Sequence, residues 1–255
     1  MKKLITLIFA TAFLFQSCGN DRLKRAKESV QQTTKVAEKD SIEEFHEEFD
    51  YAEADKLYAY PKTANKAEDF LPKIGIYEIQ YEANGDLNKD GLDDIAIVLV
   101  QKEVKTDERP MLILIQNKDK SYRLDKVSNL VMPIEYTDSN YKIYDKEDVN
   151  IENGMLNIRL YGTGPSGNVF SDFKYFGNDL MLTYIETYNV GAGSWHQLYY
   201  IIEKGELTEV ITNTMEESMP TKKKTFKLTK EKYEFESASP DDIIIEAYKK
   251  IDSEW

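Results

Sequence analysis

Six consecutive apolar residues at 95–100, Ile-Ala-Ile-Val-Leu-Val, constrain the fold of this chain more than any other feature. An unbroken run of that kind is what a strand buried on both faces shows. Residues 111–115, Met-Leu-Ile-Leu-Ile, repeat the pattern. From Lys73 onward the texture is β. Segments rich in β-branched and aromatic residues lie at 74–81, 122–127, 155–161, 169–176, 180–188, 195–202 and 207–211. Polar turns separate them at 117–120, 152–154, 176–179 and 204–206. Asn153-Gly154 is the strongest hairpin dipeptide among these.

Three of the turns share a loose refrain: Asn153-Gly154-Met155-Leu156, Gly177-Asn178-Asp179-Leu180 and Lys204-Gly205-Glu206-Leu207. Each is a turn followed by a strand with a leading Leu or Met. The expectation is a mainly β domain, either an antiparallel meander or an irregular propeller-like array. At the C-terminal end, Ser239-Pro240-Asp241-Asp242 offers an N-cap, a proline at the first helical position and two acids in the first turn. Ile243, Ile244, Ala247, Tyr248 and Ile251 then recur at helical spacing, which predicts a helix packed on the sheet. Before it, 215–224 reads as an exposed loop, with Lys222, Lys223 and Lys224 in a solvated turn.

The N-terminal end is a separate problem. Lys2 and Lys3 precede an apolar stretch at 4–15, followed by Gln16, Ser17 and the single cysteine, Cys18. About a dozen apolar residues are too few for a permanent bilayer span, so 1–17 reads as an export signal. A small residue before a lone cysteine resembles the lipobox of bacterial lipoproteins, in the looser form of the Bacteroidetes group. The resemblance implies that the Cys18 thiol takes a diacylglyceryl group with palmitate-type chains and becomes the mature N-terminus. At about 0.8 kcal/mol per buried CH2, two or three such chains anchor stably. Only Asp21 follows the cysteine closely, where surface-exported relatives of that group carry an acidic run, so the expected location is the outer membrane, facing the periplasm. Residues 18–69 read as a polar tether. Helix is permitted there, because neither Gly nor Pro occurs between Gly19 and Pro61, and Ser41 with Glu44 forms a capping box. His46, among Glu43, Glu44, Glu47 and Glu48, reads as part of a solvated helix face. Residues 70–255 form the expected β-rich globular domain.

Charge narrows the partners. The formal net charge is −13, and without the two leader lysines it is −15. Phosphate-rich partners would be repelled, which argues against nucleic acid and against electrostatic docking on anionic lipid. The expected membrane link is therefore the covalent lipid. With Cys18 acylated, no thiol remains for a disulfide, a thiol nucleophile or a cysteine metal site.

The sharpest motif is Asp86-Leu87-Asn88-Lys89-Asp90-Gly91-Leu92-Asp93-Asp94. Counted from Asp86, side-chain oxygens fall at positions 1, 3, 5 and 9, and Leu92 at position 7 offers a carbonyl. Gly91 permits the positive φ that folds a short loop around an ion. Hard oxygens at alternate positions suit Ca2+, and the clustered carboxylates repel one another without a cation. An EF-hand would place a bidentate Glu at position 12, where this chain has Ile97. The arrangement of strand, loop and strand instead resembles the FG-GAP or VCBS repeats of integrin-like β-propellers, over some twenty-five residues. On that resemblance Asp86, Asn88, Asp90 and Asp94 are side-chain ligands of a structural Ca2+, Leu92 gives a backbone oxygen, and Asp93 points away or reaches the ion through water.

Other signals are weaker. Gly162-Thr163-Gly164-Pro165-Ser166-Gly167 lacks the Gly-Lys-Ser/Thr ending of a phosphate loop and reads as a flexible hairpin connection. A triad on Ser194 would need an independent base, and the chain has only two histidines; the expectation is instead that Trp195 and His196 face opposite sides of a strand. Tyr188, Trp195, Tyr199 and Tyr200 form a candidate aromatic face for a glycan or peptide. The functional expectation is a lipid-anchored envelope protein acting as a non-enzymatic, Ca2+-stabilised binding or structural module, with an envelope protein or a glycan as partner. The alternative is a glycan- or peptide-binding lipoprotein using the aromatic face. A metal-assisted hydrolase is the weakest reading.

Overall fold

Strand β3 (Asp94–Gln101) contains the apolar run and lies inside an antiparallel five-stranded sheet. Its partners are β1 (Thr63–Ala64), β2 (Tyr77–Gly85), β4 (Met111–Gln116) and β5 (Tyr122–Ser128), in the order β1-β5-β4-β3-β2. The computed structural model describes residues 56–162 and 167–251. The expectations for the leader, Cys18, the helix from Ser41, His46 and residues 163–166 lie outside them.

The expected burial on both faces of β3 is observed. Ile95, Ile97 and Leu99 pack with Leu112, Leu114, Ala67 and Phe70 on one side. Ala96 and Val98 pack on the other side, in the same cluster as Met111, Ile113 and Ile115. Burying each such large side chain contributes about 1.5–3 kcal/mol relative to exposure. Ala67 and β1 belong to this fold, so the segment 63–69, expected in the tether, packs with the small sheet.

The second sheet is an antiparallel meander of seven strands in sequence order: β6 (Lys146–Glu152), β7 (Met155–Tyr161), β8 (Asn168–Phe176), β9 (Asp179–Val190), β10 (Ser194–Ile201), β11 (Glu206–Asn213) and β12 (Thr221–Lys227). The domain is therefore mainly β, and of the two expected arrangements the meander is the one formed. The inner face carries Leu156, Ile158, Leu160, Phe173, Ile185 and Leu198, which share one core with Ala96 and Ile113 of the small sheet. Helix α1 (Pro240–Lys249) joins that core through Ile243, Ile244 and Ala247.

Two further strands escape the sequence signal. β12 carries Lys222, Lys223 and Lys224, expected in a turn. Backbone pairing to β11 makes it a strand although its side chains are almost all exposed, and edge lysines of this kind discourage further strand addition. β6 has only Val149 and Ile151 as buried apolar residues, and Glu147 shares their alternate positions.

A bulge at Gln80 explains a reversal in β2. Ile79 pairs with Leu99 and Tyr81 with Val98, so Gln80 is an extra residue. Tyr77 and Ile79 consequently pack on the Phe70 side, whereas Tyr81 and Ala83 pack on the side of the large sheet. Strand β2 then runs close to β6: a Cβ at Gly85 would lie 2.7 Å from the Ile151 carbonyl oxygen, which only glycine avoids.

Candidate functional site

The 86–94 loop joins β2 to β3. Leu87 is buried in the core and anchors it, while Lys89 and Gly91 adopt positive φ, 64° and 89°. Three side chains turn inward on the loop's own backbone. Asp86 Oδ1 and Asn88 Oδ1 both accept the N–H of Asp90, at 3.0 and 2.9 Å. Asp86 Oδ2 accepts the N–H of Gly91 at 2.9 Å, and Asp90 Oδ1 that of Leu92 at 2.9 Å. The Asn88 amide also donates to Asp90 Oδ2 at 3.0 Å. These oxygens are held by the loop's own N–H groups and each retains a lone pair.

Asp94 does something else. It is fully buried, and its Oδ2 accepts the N–H groups of Leu87 and Asn88 at 3.0 and 3.1 Å. Its Oδ1 accepts the N–H of Gln116 at 3.0 Å. The carboxylate thus fastens the loop to the end of β4 and satisfies three main-chain donors. Burial pushes its pKa up, against the pull of those three hydrogen bonds. Among the described residues, no three His, Cys, Asp or Glu side chains gather around one point. A cation here would therefore rest on Asp86, Asn88, Asp90 and the Leu92 carbonyl, with Asp94 as the fastener. Asp93 is exposed.

The aromatic residues sort by strand alternation. On β10, Trp195 and Tyr199 face outward, whereas His196, Leu198 and Tyr200 face the core. Tyr188 lies opposite Gln197, between the positions of Trp195 and Tyr199, on the same outer face. The structure thus brings together Tyr188, Trp195 and Tyr199 and removes Tyr200, which is buried. Phe170, Tyr161 and Tyr184 extend the same face, with Tyr161 and Phe170 in edge contact at 5.1 Å. Trp195 is 38% exposed. Burial and the neighbouring Glu186 push the pKa of Tyr199 up, so its hydroxyl is a neutral hydrogen-bonding group at physiological pH.

His196 lies on the inner face. Its Nε2 is 2.8 Å from Glu209 Oε1, and its ring meets that of Tyr248 on α1 at 5.3 Å. It is not among the residues that line the groove beside the 86–94 loop. Among the described residues, no helix is long and apolar enough to cross a membrane.

Sequence reasoning missed a buried charge pair. Arg109, immediately before β4, makes a bidentate contact with Glu147 of β6, at 2.6 and 2.8 Å, with side-chain exposures of 0% and 1%. It also donates to Gln80 Oε1 at 3.0 Å and to the Pro133 carbonyl at 2.6 Å. The only sequence cue was a Glu on the apolar alternation of β6, which weakens a strand signal rather than marking a partner. No protein family, curated protein or solved structure matches this chain.

Proposed function

We propose that this protein is a non-enzymatic binding module of the cell envelope, held at the outer membrane by lipid on Cys18 and facing the periplasm, with a structural Ca2+ in the 86–94 loop. The observation that carries the calcium reading is the shared N–H of Asp90. Oxygens of Asp86 and Asn88 both reach it, so they converge rather than splay into solvent. The likeness of the loop to FG-GAP or VCBS repeats supports the same reading. The ion supplies positive charge between carboxylates that otherwise repel, and Ca2+ accepts six to eight oxygens, so water or a ligand completes its shell. At a free Ca2+ concentration 100-fold above the dissociation constant, binding adds about 2.7 kcal/mol of stability.

Thermal melting of residues 19–255 across a calcium titration tests this. The melting temperature rises with Ca2+, and Asp90→Ala lowers it and abolishes the rise. Identical melting curves in calcium and in chelator would remove the ion from the account.

A second reading concerns the binding surface. The outer face bearing Tyr188, Trp195 and Tyr199 suits a glycan or an extended peptide, because rings stack on apolar sugar faces while Gln197 between them supplies hydrogen bonds. Pull-down on envelope glycans, comparing the parent with a Trp195→Ala/Tyr199→Ala double variant, tests it. Retained binding by the double variant counts against this face.

A further inference from the structure

A bulge in β5 builds a second polar site beside the loop. Ile113 pairs with Lys126 and Leu114 with Leu124, so Asp125 is an extra residue. Strict alternation would place Arg123 and Lys126 on opposite faces. The bulge puts both opposite residues of the inner core, Ile115 and Ile113, on the side facing the large sheet. Asp125 holds Arg123 with one carboxylate oxygen and accepts the Tyr175 hydroxyl on the other, at 2.6 Å. Burial and Asp125 both push the Tyr175 pKa up, so the hydroxyl stays a donor and keeps Asp125 oriented. The Arg123 side chain is 46% exposed.

These residues, with Asn88 and Asp90 of the loop and Asn178 of the β8–β9 turn, line a groove of about 600 Å3. It continues into a second recess of about 350 Å3 that shares Asn88, Asp90 and Arg123. A volume of this size accommodates a small molecule. We propose that the groove binds a sugar acid, its carboxylate on Arg123 and its hydroxyls on Asn88, Asn178 and Asp125. A guanidinium fork matches a carboxylate in two parallel hydrogen bonds. Amides and a carboxylate around it serve hydroxyl groups, which both donate and accept. A doubly charged phosphate is disfavoured, because Asp90 and Asp125 line the groove beside Arg123 and repel its second charge. Any calcium dependence rests on the loop reading above: a cation among Asp86, Asn88 and Asp90 would neutralise that wall, so ion and ligand would strengthen each other.

Calorimetric titration of residues 19–255 with glucuronate, glucose and glucose 6-phosphate, in calcium and in chelator, tests the proposal. Glucuronate binds, the two other sugars bind at least about tenfold more weakly, and Arg123→Ala loses about tenfold or more, the scale of a charge-assisted bond. Arg123→Lys, which keeps the charge without the fork, falls between. Asn178→Ala, on an exposed turn, weakens glucuronate without touching the sheet. No binding of glucuronate, equal binding of glucose, tighter binding of the phosphate, or an unchanged affinity in both Arg123→Ala and Asn178→Ala each overturns the assignment. Glucuronate binding that is equal in calcium and chelator, together with melting curves insensitive to calcium, removes the ion alone and leaves the groove.

Discussion

The two sheets differ in how many faces are covered. The five-stranded sheet is packed on both sides of β3, by Phe70 and its neighbours on one side and by the shared core on the other. The seven-stranded sheet buries one face against that core and α1, while its other face carries Tyr188, Trp195 and Tyr199 at the surface. A sheet covered twice has its side chains committed to packing. A sheet covered once keeps half of them for solvent or a ligand. The expectation is that stability resides in the first sheet and in the seam between the two, and recognition in the second sheet and along its margins.

The seam should show the largest effect. Arg109→Ala leaves Glu147 buried without its partner, which costs about 3–5 kcal/mol in urea unfolding. Replacing both, as Arg109→Met with Glu147→Leu, should recover most of that loss, because buried ion pairs barely exceed well-packed apolar substitutes. A single-variant cost below about 1 kcal/mol, typical of an ordinary surface change, would mean that the pair does not weld the sheets.

Core truncation comes next and tests the asymmetry itself. Ile97→Ala, at a fully buried position of β3, should cost about 2–5 kcal/mol. Val210→Ala, on the outer face of β11, should cost less than half as much. Equal losses would break the contrast between the sheets.

A smaller effect concerns the attachment of α1. Burial pushes Asp241 up to about 6, against a hydrogen bond from the Tyr144 hydroxyl and with help from the charge of Asp242. The folded state therefore holds this proton more tightly than the unfolded chain, whose value is about 3.9. The contribution to stability is fully present below about pH 4, falls as pH rises towards 6 and then levels off. In the parent this slope amounts to roughly 1–2 kcal/mol, reduced from the full linkage by partial exposure, and Asp241→Asn should flatten it. An unchanged slope in the variant assigns it to another group. Smallest of all, Trp195→Ala should alter stability by less than about 0.5 kcal/mol while weakening any ligand held by the outer face.

The sequence alone determined most of the strands in both sheets, though not β1, β6 or β12. The run at 95–100 could only be satisfied by cover on two sides, and Asn153-Gly154 marked a turn whose residues both take positive φ. The C-terminal helix followed from its proline and its apolar spacing. These are local or one-dimensional signals: they depend on which side chains repeat, not on what they meet. The loop was legible for the same reason, since its donors lie within nine residues.

Tertiary structure decided the rest. Alternation placed Tyr200 with the core and Tyr199 with the outer face, but which of the two was outward depended on register, not composition. Asp94 became a fastener because β4 brings the Gln116 N–H to it across 22 residues of chain. Bulges at Gln80 and Asp125 changed which side chains share a face, and nothing in their immediate sequence marks an inserted residue. Arg109 found Glu147 across 38 positions. Pairings of that range are chosen by the packing of whole sheets, where the cost of burying a charge is met by a partner that no periodic pattern reveals.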